Sequence, residues 1–200
     1  MEKACAKEVN IILCGVGGQG TILASRLIAD AAMKNGIHVH SAETIGMAQR
    51  GGSVFTNLRL GENIRTPRIG SGKADLIIAF EPAEAVRMLP YLRENGSVVA
   101  SADPILPVSA LVGAAPYPAE EILTYLRAHT AHLTLVDSEK AAADLGSAKC
   151  LNVVLLGAAV RSGALGLSEE DIADAIRQRL PEKLWELNLR ALEYTNTKTA

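Results

Sequence analysis

Two glycine-rich stretches hold the residues whose types and spacing suit chemistry. The first, Gly15-Val16-Gly17-Gly18-Gln19-Gly20, follows an apolar run that begins at Val9. It leads into Thr21 to Asn35, where Ile22, Leu23, Leu27, Ile28 and Ala31 fall near helical spacing. A strand that ends in glycines at a helix N-terminus points free backbone N–H groups outward. The helix dipole adds positive potential, and the missing side chains let a phosphate come close. The same glycines equally suit a tight turn with close helix–sheet packing. The second stretch is Gln49-Arg50-Gly51-Gly52-Ser53. Here an amide that donates and accepts stands beside a guanidinium that clamps anionic oxygens, and paired glycines let backbone approach. The plainer alternative is a hairpin turn with a solvated arginine.

Two carboxylates rank behind these. Glu43 lies roughly 20 positions beyond the glycines, about where a dinucleotide-binding fold places its ribose-binding acid. Glu81 is expected at the C-terminal end of a strand, where open α/β sheets bind ligands, or as the cap of the next helix. Arg59, Arg65, Arg68 and Lys73 fall in a segment with Pro67, Gly70 and Gly72. That basic loop suits an anionic ligand, an acidic partner surface or plain solvation. His38 and His40 alternate with apolar residues and read as a polar strand face. No nucleophile, base and orienting group can be assembled, so no catalytic residue and no metal ligand is assigned.

Positioning these groups requires a sheet. Strands are expected at Val9 onward, Ile37–Ala42, Ser53–Leu60, Asp75–Phe80, Ser97–Ser101 and His132–Asp137. Helices are expected at Thr21–Asn35, from Pro82 to Gly96, at Ala119–His129, Ser138–Leu145, Ala148–Ser162, from a Ser168 cap to Leu180, and at Glu182–Tyr194. The stretch Pro104–Pro118 reads as loop. Asp75–Phe80 is too apolar to have a wet face, as in a parallel sheet covered on both sides. The expected architecture is α/β: a Rossmann-like three-layer sandwich with a mostly parallel sheet, an antiparallel edge hairpin and a helical C-terminal appendage. One domain spans 1–200, with its core at about 9–162 and the C-terminal helices at about 168–195.

Composition sets bounds on function. Aromatics are only 4% of the 200 residues, so the core must rest on Val, Ile, Leu and Ala. A net charge of −2 with both signs interspersed argues against a nucleic-acid binder. Cys5, Cys14 and Cys150 lack metal-ligand or CxxC spacing, which argues against a self-contained iron–sulfur or zinc site. An odd number of thiols suggests a reducing, cytoplasmic setting. The run Cys150–Val160 is too short to span a bilayer. Asn152 within it is expected to be a satisfied core amide, with ligand contact as the alternative.

Three stretches in this order, Asn10–Gly20, Glu43–Ser53 with its Gln-Arg-Gly-Gly, and Ala74–Pro82, resemble the gamma-type subunit of 2-oxoacid:ferredoxin oxidoreductases. The likeness runs from Val9 to about Tyr194 and is greatest to the small-subunit type of the indolepyruvate branch. It implies a half-enzyme, whose thiamine diphosphate, magnesium and 4Fe-4S clusters reside on a large alpha-type partner subunit. The implied reaction is oxidative decarboxylation of indolepyruvate or related aryl pyruvates with coenzyme A to an acyl-CoA, with reduction of ferredoxin. Under it, Gly15, Gly17, Gly18, Gln19 and Gly20 bind phosphate or line a channel by backbone N–H groups. Gln49, Arg50, Gly51, Gly52 and Ser53 face the partner's cofactor or the substrate, and Glu43 stands second. Two other readings remain open: a free-standing NAD- or flavin-binding oxidoreductase, and a non-catalytic assembly module.

Overall fold

The computed structural model describes residues 8–45, 52–106, 108–114, 116–195 and 197–198. Gln49, Arg50 and Gly51 lie outside them. The strands are β1 (Val9–Val16), β2 (Val39–Ile45), β3 (Ser53–Leu60), β4 (Ala74–Ala79), β5 (Leu92–Ser101), β6 (His132–Val136) and β7 (Thr197–Lys198). They form one sheet in the order β2-β3-β1-β4-β5-β6-β7. β1, β4, β5 and β6 run parallel, β3 is antiparallel to both β1 and β2, and β7 is antiparallel to β6. The expected edge hairpin is therefore β2–β3, with β2 outermost.

The parallel strands alternate sides, as a sheet buried on both faces must. Ile11, Leu13, Leu76 and Ile78 face α1 (Thr21–Lys34), α5 (Ser138–Leu145) and α6 (Leu151–Arg161). The C-terminal helices α7 (Glu169–Arg179) and α8 (Trp185–Glu193) join the same apolar cluster through Ile172, Ile176 and Leu192. Ile12, Cys14, Ile77 and Ala79 face α2 (Pro82–Met88) and α4 (Ala119–His129). The result is three layers, with the thicker helical layer on the α1 side. Among the described residues no helix is long and apolar enough to cross a membrane.

Local chemistry explains where elements stop. Gly36 (φ 74°) and Gly146 (φ 69°) take the left-handed conformation just past α1 and α5, which only glycine adopts without strain. Ser168 and Asp171 form the reciprocal capping box that opens α7. Beyond shifts of a few residues, such as β2 at Val39–Ile45 instead of Ile37–Ala42, and the added strand β7, three departures from expectation concern the connections after β4 and β5. The α-helix opened by Pro82 ends at Met88 and not at Gly96, because Pro90 has no N–H to continue the α-helical bonds; Leu89–Tyr91 closes as a single 3-10 turn. Leu92–Gly96 becomes the first half of β5, with Asn95 at φ 58° beside a register shift. The loop from Pro104 to Pro118 contains a short helix, α3 (Val108–Leu111).

Candidate functional site

One side chain ties off the glycine turn from both sides. Gln19 Oε1 accepts from the Val16 N–H at 2.7 Å, and Gln19 Nε2 donates to the Phe80 carbonyl at 2.6 Å. Val16 ends β1 and Phe80 follows β4, so this amide spans the carboxyl ends of two neighbouring parallel strands. Gly15 leaves room for it: a Cβ there would stand 2.6 Å from Gln19 Oε1 and 2.9 Å from Phe80 Cβ. The Gly17 N–H donates to the Gly52 carbonyl at 2.9 Å, and Ser53 pairs with Val16 across the ladder. The end of the second glycine stretch thus abuts the first.

Gly18 and Gly20 have φ of 101° and 80°, where an L side chain is strained. Gly20 caps α1 without a side-chain hydrogen bond, and the first turn of α1 carries no acid. Among the described residues, none accepts from the N–H of Gly18, Gly20 or Thr21. Free donors at the N-terminus of a 14-residue helix make a seat for an anion.

Topology opens a cleft at that point. α1 leaves β1 for one face of the sheet, whereas α2 leaves the adjacent β4 for the other. Such a switch point parts the chain at the carboxyl ends of the strands. The cleft measures about 540 Å³ and is lined by Gly18, Gly20, Phe80, Ser101, Ser138 and Asn152 among others. The Ser138 hydroxyl donates to Ser101 Oγ at 2.9 Å, which fixes the wall at the ends of β5 and β6. Asn152 is 4% exposed. Its Nδ2 reaches the Gly20 carbonyl at 3.4 Å, and its Oδ1 has no partner among the described residues. The expected satisfied amide is therefore only half satisfied. A wider concavity of about 930 Å³ lies at the amino end of the sheet, but its Asp75 is already engaged by the Asn10 N–H at 2.7 Å and by Arg93 at 3.0 Å.

Beside the turn, on the α2 face, lies a buried acid pair. Glu81 caps α2, its Oε2 accepting from the Glu84 N–H at 3.0 Å, and the Tyr117 hydroxyl donates to its Oε1. Glu84 accepts from the Ser53 hydroxyl at 2.6 Å and meets Arg87 at 3.3 Å. Of the two roles open to Glu81, the cap is the one it fills. Burial first, then Glu84 and Glu81, push the Cys14 thiol well above its ordinary range, so it stays protonated and inert. Burial and the bond to Glu81 push the Tyr117 phenol up as well.

Glu43 is not brought to the turn. It is exposed on β2, opposite Thr56, and β3 separates it from β1 by about 10 Å, two strand spacings. In a dinucleotide-binding sheet the acid-bearing strand is β1's direct neighbour. The sequence reading missed Ser101, Ser138, Glu84 and Tyr117. Ser101 was discernible, since it closes an expected strand at the ligand-binding end; Tyr117 sat in a loop with no periodic signal. Among the described residues, no group of three His, Cys, Asp or Glu is placed to hold a metal ion.

The family model of pyruvate ferredoxin/flavodoxin oxidoreductase matches residues 10–196. The indolepyruvate oxidoreductase subunit IorB of Archaeoglobus fulgidus is 41% identical over 187 residues, 93% of this chain and 92% of that one. The fold is shared with the gamma subunit of keto/oxoacid ferredoxin oxidoreductase from Geobacter sulfurreducens (TM-score 0.69, 24% identity, 94% of each chain). It is shared too with 2-oxoglutarate:ferredoxin oxidoreductase from Magnetococcus marinus (TM-score 0.70, 18% identity). That match takes in 94% of this chain but 30% of the Magnetococcus one, in a structure holding 2-oxoglutarate, coenzyme A and succinyl-CoA.

Proposed function

Because the chain belongs to the pyruvate ferredoxin/flavodoxin oxidoreductase family, as the small-subunit type of a 2-oxoacid:ferredoxin oxidoreductase, we propose that it walls the active site of such a complex and helps to seat coenzyme A. The observation that carries this reading is the anion seat at the β1/β4 switch point, where Gly18 and Gly20, whose N–H groups have no acceptor among the described residues, line the cleft at the start of α1. A pyrophosphate there would meet the free N–H groups of Gly18 and Gly20 and the positive end of α1, at glycines that carry no side chain of their own. Gln19 acts by shaping: with its amide spent on Val16 and Phe80, it holds the turn open.

Gln49, Arg50, Gly51, Gly52 and Ser53 face the partner subunit in this proposal. Ser53 anchors that stretch through Glu84. The substrates are indolepyruvate and related aryl pyruvates, taken from the relatives' name. With coenzyme A they would give aryl-acetyl-CoA and carbon dioxide, the electrons leaving to ferredoxin. Thiamine diphosphate, magnesium and the iron–sulfur clusters are assigned to the large partner subunit. Among the described residues the thiols do not suit an iron–sulfur cluster: Cys14 and Cys150 are buried, far apart in sequence, and desolvation pushes both above the ordinary thiol range.

The test is to recover the tagged chain from its native extract and assay what comes with it. A large thiamine- and iron-containing partner, with CoA-dependent reduction of a viologen dye by indolepyruvate, is the expected result. A chain recovered alone, or carrying its own NAD or flavin, would overturn the proposal. Within an active complex, Arg50→Ala should raise the KM for coenzyme A or the 2-oxoacid; wild-type kinetics would remove Arg50 from the site.

A further inference from the structure

At the opposite end of the molecule, the connection from β3 to β4 (61–73) is a built platform with unspent charge. Leu60 pairs with Val9, the first residue of β1, so this connection lies at the amino end of the parallel strands, away from the cleft. It is pinned along its length. Ile64 and Ile69 are buried, the Ile69 N–H donates to Asn57 Oδ1 at 3.3 Å, and Arg59 Nη1 donates to the Thr66 carbonyl at 2.9 Å. Asn10 Nδ2 donates to the Lys73 carbonyl at 3.1 Å, and the N–H groups of Gly72 and Lys73 reach Pro90 and Tyr91 at 3.0 and 2.9 Å.

On this fixed backbone Arg65, Arg68 and Lys73 are exposed. Their side chains have no ion pair or hydrogen bond among the described residues, and Glu62 is the only acid in the segment. The expectation that Arg59 belongs with them is corrected: it lies in β3 and is half-buried, held by Asn10, Thr66 and Glu8. Among the described residues no exposed large apolar side chain lies in the 61–73 segment. The apolar ones lie elsewhere in the chain, notably Ile105, which lines the cleft, and Leu106, Leu111 and Val112. Obligate interfaces are apolar, whereas charged and apolar-poor surfaces suit partners that come and go by electrostatic steering.

We propose that the 61–73 platform docks a small acidic protein, the electron acceptor of the complex, through carboxylates that meet Arg65, Arg68 and Lys73. This rests on the reading above that the complex delivers its electrons to ferredoxin. The two are separable by experiment, because a viologen dye accepts electrons without docking.

The assembled complex carrying Arg65→Glu, Arg68→Glu and Lys73→Glu is assayed with ferredoxin and with dye at rising ionic strength. The KM for ferredoxin should rise on the order of tenfold at low salt, and the wild type's loss of rate with salt should vanish, while dye reduction stays unchanged. Wild-type KM and salt dependence for ferredoxin in the variant would overturn the docking proposal. So would loss of dye reduction in both this variant and its Arg65→Gln, Arg68→Gln, Lys73→Gln counterpart, which would place the platform in assembly. A wild-type complex that reduces neither acceptor sinks the functional reading and the docking proposal together.

Discussion

At the carboxyl ends of β1 and β4 a neutral amide, Gln19, bridges backbone to backbone; at the amino ends of the same sheet a guanidinium, Arg59, bridges Asn10, Thr66 and Glu8. Both brace a loop, but they leave different surfaces behind. Around Gln19 the braced turn itself carries N–H donors and no charged side chain, while Asp103, Glu139 and Lys149 stand on the far walls of the cleft, so an anion on the turn meets oriented dipoles that cost nothing to reorganise. Around Arg59 the braced loop exposes three cations, whose attraction reaches farther in dilute salt and is screened at higher ionic strength. A small ligand held in a cleft fits the first arrangement, and a protein met in solution fits the second.

The sharpest way to break the carboxyl end is Gly20→Val. The residue sits at φ 80°, and a Cβ would meet Asn152 Nδ2 at 2.7 Å. A β-branched side chain in the left-handed region, driven against a buried amide, should cost about 3 kcal/mol or more. Urea unfolding should show the loss in full, and coenzyme A binding by the complex should fall with it. A variant as stable as the wild type would show that the turn does not need its glycine.

Gln19→Ala comes next. It leaves the Val16 N–H and the Phe80 carbonyl without their partner, so about 2 kcal/mol of stability should go. Gln19→Glu should be no rescue, because a carboxylate oxygen would then face the Phe80 carbonyl. If both variants unfold at the wild-type midpoint, the amide is not the brace described above.

These two residues also mark what the sequence could tell. The glycine turn, its strand and its helix were legible because glycine pattern and 3.6-residue periodicity are local signals. That Gln19 would turn back across the sheet was not, since its second partner, Phe80, is 61 residues away. Glu43 shows the converse failure. Its distance along the chain suited a ribose contact, but pairing β3 between β1 and β2 is a choice of topology, and spacing cannot see it. Pro90 was readable and underused: it ends α2 by covalent geometry alone.

At the amino end the effects should be smaller and depend on salt. Arg59→Lys keeps the charge but loses the fork that reaches Asn10 and Thr66 together. About 1 kcal/mol should be lost, since the site is half exposed. Thermal unfolding at low and high salt would check it. A loss that persists undiminished in high salt would point to the neutral hydrogen bonds over the Glu8 pair.

An effect of similar size, which fades in acid, carries a pH signature. Gly166, two residues before the α7 cap, lies against Val9 at this same end. The Ser168 hydroxyl, above all, holds the Asp171 carboxyl below its ordinary value of 3.8, helped by the Ser168 N–H. With the folded pKa depressed, the unfolded chain binds more protons between the two values. The contribution is therefore complete above the ordinary carboxylate range and is lost as pH falls through the folded pKa. Ser168→Ala removes the largest cause of the depression together with an N-cap, so it should cost about 1 kcal/mol at neutral pH. Its deficit should shrink as the pH is taken below about 3.5, where Asp171 is protonated in the unfolded chain. Parallel unfolding curves for the two proteins across that range, with no convergence in acid, would show that the hydroxyl acts on α7 through the backbone N–H alone.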